Sequence, residues 1–206
     1  MTAPTFWDNR APSYAAKPIA DLGAYEEMLR EVRTLLDPND RVLEIGCGTG
    51  GTAINLAPSV SSITATDSSI GMIRIARGKL GASAPSNVAF EMRDAVQPAR
   101  ETQFDAVLAF SLLHLIEDIP AVLASIRKQL RTGGLFVSKT VCLGDRSVWL
   151  RGLVRILTAL GIAPRVNPVS RKELESLLES SGFKVLSVAY FDKRQMNPFL
   201  VAERVG

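Results

Sequence analysis

Short apolar runs recur along this chain, and segments of mixed polarity separate them. Continuous apolar runs of this length are typical of strands that are buried on both faces of a parallel sheet. They predict five strands before residue 141, at 41–45, 62–67, 88–93, 104–110 and 135–140. Strands that alternate with helices predict an α/β domain built on a parallel sheet.

Apolar residues at helical spacing occupy the segments around these strands. The clearest pattern covers 21–36, where apolar side chains fall on one face of a helix. After the second strand, Ser68 or Ser69 is expected to cap a helix. After the fourth strand, Asp118 is the expected N-cap, and Gly133-Gly134 is expected to end that helix.

The alternation changes after residue 140. Residues 141–169 form an insertion that contains an apolar helix at about 147–160. A Ser-x-x-Glu capping box at 170–173 predicts the start of a further helix. Two strand-like runs flank a polar stretch that can turn back, which predicts an antiparallel pair. These runs are 183–191 and 198–204.

Glycines follow the first strand directly, in the sequence Val-Leu-Glu-Ile-Gly-Cys-Gly-Thr-Gly-Gly of residues 42–51. Glycines at this spacing allow a tight turn and a close approach of the backbone to a ligand at a helix N-terminus. The stretch also satisfies the dinucleotide pattern Gly-x-Gly-x-x-Gly through Gly46, Gly48 and Gly51. A nicotinamide dehydrogenase is therefore an alternative, although a dinucleotide domain would use most of the 206 residues.

The pattern Glu-x-Gly-x-Gly-x-Gly resembles motif I of the class I S-adenosylmethionine (SAM)-dependent methyltransferases, of the small-molecule type 11 or 25. The residues that match the family's motifs lie in order on successive strands. They are Glu44, Asp67, Asp94 and the sequence Leu-Arg-Thr-Gly-Gly at 130–134. The resemblance implies a Rossmann-like three-layer α/β/α sandwich, with a seven-stranded, mostly parallel sheet closed by an antiparallel C-terminal hairpin.

The expected domain organisation is a single domain over residues 1–206, with two additions to the core. One is an N-terminal helical arm at 1–37, whose Trp-Asp-x-x-Ala-x-x-Tyr sequence resembles the opening of many small-molecule methyltransferases. The family's tyrosine, here Tyr14, closes over the cofactor; core packing is the other interpretation. The second addition is the lid-like insertion at 141–169.

The resemblance implies that SAM binds at the carboxyl ends of the strands. Asp67 stands about twenty residues beyond the glycines, where a carboxylate can accept two hydrogen bonds from a ribose diol. By resemblance, Glu44 fixes the glycine loop or meets the methionine amino group, and Asp94 accepts a hydrogen bond from the adenine amine. The other implied cofactor residues are Tyr14, Gly46, Cys47, Gly48, Thr49, Gly50, Ser68, Met72, Ala95, Phe110 and Ser111.

Each of these residues also has a purely structural interpretation. Asp67 can cap a helix, Asp94 can form a turn, and Met72 and Cys47 can pack in the core. The conjunction of motifs, rather than any single residue, favours the SAM site.

Methyl transfer from a sulfonium needs alignment and exclusion of water more than acid–base catalysis. His114 is the only imidazole in the chain, and it is either a general base or orienter, or a structural histidine. The segment after the fourth strand lacks the signatures of methyltransferases that act on bases, arginines or catechols, which favours a small-molecule acceptor. A lipid or quinone at a membrane, RNA, protein, or SAM binding without turnover remain alternatives.

The insertion helix has three interpretations. It can be a lid packed on the core, a cover for an apolar acceptor, or a surface that rests on an anionic membrane through 147–160. Apolar side chains alternate there with four arginines. The residues are Arg146, Trp149, Leu150, Arg151, Leu153, Val154, Arg155, Leu157, Leu160 and Arg165.

Composition limits the remaining classes. One histidine and two cysteines, Cys47 and Cys142, predict no metal site. The net charge of +3 is more simply explained by a solvated surface than by a nucleic-acid partner. The start of the chain has no signal-peptide pattern and no apolar run reaches membrane-spanning length, so the expected location is the cytoplasm. The expected oligomeric state is a monomer or a homodimer.

Overall fold

Seven strands form one sheet in the computed structural model, which describes residues 3–81, 85–98, 103–192 and 195–206. The strand order is β3-β2-β1-β4-β5-β7-β6, and β7 alone runs antiparallel to both of its neighbours. The predicted seven-stranded sheet with a reversed C-terminal strand is therefore confirmed. The strands are β1 Arg41–Ile45, β2 Ser62–Asp67, β3 Val88–Met92, β4 Phe104–Phe110, β5 Leu130–Lys139, β6 Phe183–Ala189 and β7 Phe199–Arg204.

Helices cover both faces of the sheet, and several begin at the predicted caps. Asp118 accepts a hydrogen bond from the Ala121 N–H, and Ser170 and Glu173 form both bonds of the capping box. Ser69, not Ser68, caps the helix after β2. The helices are α1 Ala3–Ala15, α2 Leu22–Leu35, α3 Gly51–Leu56, α4 Ile70–Gly78, α5 Ile119–Gln129, α6 Val148–Ala159 and α7 Arg171–Ser180.

Alternate residues of the central strands point to opposite layers. Val42 and Leu108 belong to a core shared with α2, α3 and α4. Leu43 and Val107 belong to a second core shared with α5 and α7. Because successive side chains of a strand face opposite sides, two helical layers enclose the sheet, and the three-layer prediction is confirmed.

The predicted end of the helix after β4 was wrong. The helix α5 stops at Gln129, and Leu130 already pairs with Phe104 as the first residue of β5. The strand then shifts register before Leu135, and Gly133 in this irregular stretch adopts a φ of +73°. The two glycines therefore shape a bulge in β5 rather than a helix stop, because pairing with β4 overrides the local helix-stop signal.

The C-terminal pair is shorter than the apolar runs predicted. The strand β6 ends at Ala189 instead of 191, and β7 begins at Phe199 instead of 198. Residues 193 and 194 of the predicted turn lie outside the described residues. In the described ranges, no helix has both the length and the apolar content needed to cross a membrane.

Candidate functional site

A cleft lies at the carboxyl edge of the sheet, where β1 and β4 are neighbours and the strand order reverses. Open α/β sheets bind their ligands at such a switch point. The cleft opens to solvent, and the space within it amounts to about 890 Å³ when its open mouth is included. The predicted cofactor residues that line it are Tyr14, Gly46, Gly48, Asp67, Ser68, Met72, Asp94, Ala95, Phe110 and Ser111.

The glycine loop brings the backbone to the edge of this cleft. Gly46 and Gly50 have φ angles of +72° and +76°, in the left-handed region that favours glycine. A Cβ atom on Gly46 would lie 2.8 Å from Leu112 Cδ1, and one on Gly50 would lie 2.5 Å from Phe90 Cζ. Glycine is therefore required at both positions, by conformation and by space.

Asp67 fastens the glycine loop to the end of β2. One carboxylate oxygen accepts the Gly48 N–H at 2.9 Å, and the other accepts the Ser69 N–H at 2.8 Å. A carboxylate has about four lone-pair directions, so each oxygen keeps acceptor capacity toward the cleft. Burial raises the pKa of Asp67 against the lowering effect of these two hydrogen bonds. The helix-cap interpretation of Asp67 was wrong, because Ser69 caps α4 and Asp67 accepts the N–H of Ser69; the ligand interpretation stays a prediction.

Asp94 borders the cleft beyond β3. Its Oδ1 accepts the Val96 N–H at 3.1 Å, so the side chain forms the turn that the sequence also allowed. Arg93 also lines the cleft, and its guanidinium donates to the Pro98 carbonyl at 2.7 Å and pairs with the Glu91 carboxylate. Met72 is only 3% exposed, yet its side chain contributes to the apolar wall.

Two residues of the Trp-Asp-x-x-Ala-x-x-Tyr sequence hold the arm helix α1 against α4. Asp8 accepts hydrogen bonds from the Ser69 hydroxyl at 2.6 Å and from the Gly71 N–H at 2.9 Å. Those bonds lower the pKa of Asp8, the Ser69 hydroxyl most strongly. Ala11 is fully buried, and its Cβ lies 3.2 Å from the position that a Cβ on Gly71 would take.

This attachment places two aromatic residues over the cleft. The Trp7 and Tyr14 rings meet edge to face, with centroids 6.0 Å apart. Tyr14 is half exposed, and its Cε1 lies 4.0 Å from the position of a Cβ on Gly48. Tyr14 therefore stands beside the glycine loop rather than in the core.

Glu44 lies beneath the loop and outside the cleft lining. Its side chain is buried, and its Oε2 has no hydrogen-bond partner among the described residues. Burial raises the pKa of Glu44 to about 8; a backbone hydrogen bond at Ala53 opposes the shift, and the Asp67 charge adds to it. Glu44 is therefore a neutral carboxyl below that pH, and its role in fixing the glycine loop stays a prediction.

Three loop residues also lie outside the lining: Cys47, Thr49 and Gly50. Burial raises the pKa of the Cys47 thiol well above its usual value, as expected for an inert packing residue. The Lys79 ammonium donates to the Thr49 carbonyl at 2.7 Å and to its hydroxyl at 2.9 Å. Cofactor contacts by these residues remain predictions.

His114 follows β4 in a short 3-10 turn and does not line the cleft. Its Nδ1 is buried without a partner among the residues described, and burial lowers the pKa of the imidazole to about 4. Its backbone carbonyl accepts the Asn167 N–H at 2.7 Å, so the turn contacts the end of the insertion. The imidazole is neutral at physiological pH.

The structure adds lining residues that sequence reasoning missed. The sequence carries part of the signal for them, because the end of β4 predicts cleft residues at Phe110 and Ser111. No pattern in the sequence predicts that the apolar residues that follow also reach the cleft. Ser111 was predicted, yet its φ of +54° at this switch point was not. The added residues are Trp7, Ile45, Arg93, Leu112, Leu115 and Ile116.

The insertion helix α6 contributes no residue to the cleft lining. One hydrogen bond links the segment after it to the arm, from the Arg10 guanidinium to the Ile162 carbonyl at 3.0 Å. Among the residues that the structure describes, no group of three or more His, Cys, Asp and Glu side chains could hold a metal ion.

Comparison with known proteins identifies the family. A family model described as "Methyltransferase domain" matches residues 14–188. An uncharacterized methyltransferase of Schizosaccharomyces pombe is 30% identical over 164 residues, which cover 74% of this chain and 62% of that protein. An O-methyltransferase of Aspergillus sclerotiorum is 28% identical over 170 residues, covering 79% and 62% of the two chains. The chain thus spans about three fifths of the length of these curated relatives.

Solved structures agree with this match in fold. The magnesium protoporphyrin IX methyltransferase of Synechocystis PCC 6803, with bound S-adenosylhomocysteine (SAH), superposes with a TM-score of 0.75 at 18% identity. The alignment covers 98% of this chain and 95% of that chain. The match to a methyltransferase model and the reversed strand β7 exclude the dinucleotide-binding alternative. The chain belongs to the methyltransferase domain family and has the fold of its class I, SAM-dependent members.

Proposed function

We propose that this chain transfers a methyl group from SAM to a small, largely apolar acceptor. The observation that carries the proposal is the chemistry of the cleft lining, which combines two sets of groups. The polar set, here called the polar half, includes Asp67, Asp94 and the Gly48 backbone. The apolar set, here called the apolar half, includes Trp7, Phe110, Leu112, Leu115 and Ile116.

The polar half fits the adenosine and methionine parts of the cofactor. The remaining acceptor capacity of Asp67 suits the two ribose hydroxyls, and Met72 and Ala95 supply apolar contacts for the adenine ring. Gly46 and Gly48 present bare backbone where the methionine part would lie. Bound SAM supplies a methyl group that is already activated by its sulfonium.

The chain's own residues would then align the acceptor and exclude water. Tyr14 and Trp7 cover the glycine loop, and the apolar half surrounds the acceptor's atoms. Alignment of this kind can contribute several kcal/mol to catalysis without any proton transfer, on the order of 7 kcal/mol in well-oriented systems. Proximity is therefore the main contribution expected of the protein.

The acceptor class follows from the groups that line the cleft. No histidine or lysine is among the lining residues that the structure describes, and the two lining carboxylates, Asp67 and Asp94, are the groups assigned to the cofactor in this proposal. An acceptor that is already ionised near neutral pH, such as a carboxylic acid or an unusually acidic phenol or enol, would need no protein base. The relatives named O-methyltransferases support oxygen as the atom methylated.

His114 enters this proposal as a positioning residue. Its low pKa and its place outside the lining favour a role in holding the turn after β4 over a role as general base. Replacement of His114 by Gln should leave the pH profile of turnover unchanged. Loss of a basic limb from that profile would restore the general-base hypothesis.

Calorimetry with SAM and SAH is the first test of the proposal. The wild-type chain should bind both, and Asp67→Ala should weaken binding about 100-fold, because two hydroxyls and the Gly48 N–H lose their acceptor. The matched control is Asp37→Ala, a change to an exposed carboxylate that is remote from the cleft. Absence of heat with both ligands would contradict the proposal.

A turnover assay separates the remaining alternatives. Tritium from methyl-labelled SAM should pass to phenols and carboxylic acids, and not to aliphatic alcohols of similar size. Transfer only to added RNA or protein would reject the small-molecule acceptor. Binding without transfer to any acceptor would identify a SAM-binding protein without turnover.

A further inference from the structure

The helix α6 exposes an apolar stripe that the cleft does not use. The helix has no buried residue. Side chains four, three and four residues apart form the stripe, and their exposed fractions range from 52% to 90%. They are Trp149, Leu153, Ile156 and Leu160. Trp149, with the largest of these fractions, projects almost entirely into solvent.

A different face of α6 carries apolar residues that are less exposed. Leu150, Val154 and Leu157 are partly buried. Each follows a residue of the stripe by one position, which is a rotation of about 100° around the helix axis. The exposed stripe is therefore distinct from the face that carries the partly buried apolar residues. Large apolar side chains grouped on one exposed face mark a surface that binds something.

The charge around this stripe has a single sign. Residues 146–165 contain four arginines and no acidic residue, whereas the whole chain has 24 basic and 21 acidic residues. The rest of the chain is thus balanced to within one charge, and the net positive charge resides in this segment. Arg151, Arg155 and Arg165 form no ion pair with any residue in the described ranges.

We infer that α6 docks on the surface of a phospholipid bilayer rich in anionic headgroups. A helix with Trp and aliphatic residues on one face, and with arginines and no acidic residue on its other faces, has the pattern of a helix that lies in the membrane interface. Its 12 residues span about 18 Å, too short to cross a bilayer core of about 30 Å. The helix therefore lies parallel to the membrane plane, with the arginines at the headgroups.

The position of α6 connects the proposed membrane contact with the cleft. The Arg10–Ile162 hydrogen bond joins the segment after α6 to the arm, and Trp7 and Tyr14 of the same arm cover the cleft. A bilayer bound to the stripe is thus connected, through this segment, to the arm that lines the cleft. The docking itself does not depend on the proposed methyl transfer.

Vesicle sedimentation with the full chain tests the inference. The wild-type protein should pellet with vesicles of phosphatidylcholine and phosphatidylglycerol, less with phosphatidylcholine alone, and less again at high salt. Trp149→Ser with Leu153→Ser should weaken binding about tenfold or more, by removing the apolar anchor. Arg151→Gln with Arg155→Gln should weaken it about 25-fold at low salt, since each surface cation contributes about fivefold.

Matched controls change the same residue types elsewhere. Leu186→Ser alters an exposed leucine of β6, and Arg30→Gln alters an exposed arginine of α2. Neither should change vesicle binding. Circular dichroism and SAH binding should be unchanged in the α6 variants, which separates a failure of docking from a failure to fold or to bind cofactor.

Tryptophan fluorescence adds a local readout, because Trp7 and Trp149 are the only tryptophans in the chain. In the Trp7→Phe variant, Trp149 emission should shift to the blue on anionic vesicles. In Trp149→Phe, the emission of Trp7 should not change. A blue shift from Trp7 with none from Trp149 would overturn the inference.

Three other outcomes would also overturn it. No pelleting with anionic vesicles at low salt rejects the membrane. A dimer that Leu153→Ser dissociates, without vesicle binding, assigns the stripe to a second copy of the chain. Binding to poly-glutamate but not to vesicles assigns the surface to an acidic protein.

Discussion

The cofactor cleft and α6 are packed in opposite ways. Behind the glycine loop, side chains such as Ala53, Ile73 and Ala76 are fully buried, and the polar groups of Asp67 are engaged by backbone N–H groups. By contrast, α6 has no buried residue and exposes its largest side chains. The cleft is a site preorganised by the core, whereas α6 gains most of its burial only from a partner.

This difference teaches where each kind of ligand can be recognised. A polar cofactor with fixed geometry needs donors and acceptors that do not move, and the core around β1 and β2 holds them. An apolar or lipid surface needs area and charge without exact positions, which a lightly packed helix supplies. Single substitutions in each region test this contrast, and their expected effects range from several kcal/mol to a few tenths.

Two glycines in the two regions should respond to alanine in opposite directions. Gly50→Ala forces a left-handed residue and a clash with Phe90, which should lower the free energy of unfolding by about 3 to 5 kcal/mol. Gly152 lies inside α6, and a Cβ there would meet no atom within 4 Å. Gly152→Ala should therefore raise the free energy of unfolding by up to about 1 kcal/mol. Urea unfolding of both variants measures this, and equal effects would remove the contrast.

The buried Glu44 should make stability fall as pH rises. Its pKa is about 8 in the folded chain against an ordinary 4.5, so between these values the unfolded chain loses a proton that the folded chain keeps. The stability that this group contributes is complete below about pH 4.5 and falls by about 3 to 5 kcal/mol as pH rises to 8.

Glu44→Gln keeps the shape of the neutral carboxyl and cannot titrate. The difference in urea midpoint between Glu44→Gln and wild type should widen toward alkaline pH. The control is Glu179→Gln on the exposed face of α7, which should follow the wild-type curve. A difference that does not change between pH values of about 5 and 8 would mean that Glu44 is ionised in the folded chain.

His114 should have the opposite effect on the pH dependence of stability: it should make stability fall as pH decreases. Burial lowers its pKa from 6.5 to about 4, so the unfolded chain binds a proton in this range while the folded chain does not. The stability that depends on this group is complete above about pH 6.5 and falls by about 2 to 3 kcal/mol as pH drops toward 4. His114→Gln should lose less stability over this interval than wild type. If His114→Gln loses as much stability as the wild type between these pH values, groups other than His114 cause the loss.

Removal of the link between the two regions should have the smallest effect. Arg10→Ala deletes the exposed hydrogen bond to Ile162 and should change the free energy of unfolding by about 0.5 kcal/mol. Trypsin should cleave α6 about twofold faster at Arg151 and Arg155, because the segment opens locally more often. Ser13→Ala, which removes a hydrogen bond within the arm itself, is the control and should not alter cleavage.

Much of the fold could be predicted because its signals are local. Apolar runs located β1 and β4, and caps such as Asp118 and Ser170 depend on bonds within three residues. The same holds for part of the site. The glycines and Asp67 sit at strand ends, and a parallel sheet brings such ends to one edge.

By itself, then, the sequence determined the order of elements, the cofactor-type loop and the cationic, apolar character of 146–165. Only the tertiary structure decided that α5 ends at Gln129, that Ser111 takes a positive φ, and that Leu112 and Ile116 reach the cleft. It also decided that Glu44 is sealed from water and that the stripe of α6 is not. These outcomes depend on contacts between residues far apart in the chain, which determine burial and therefore charge, strain and exposure, and no local pattern encodes them.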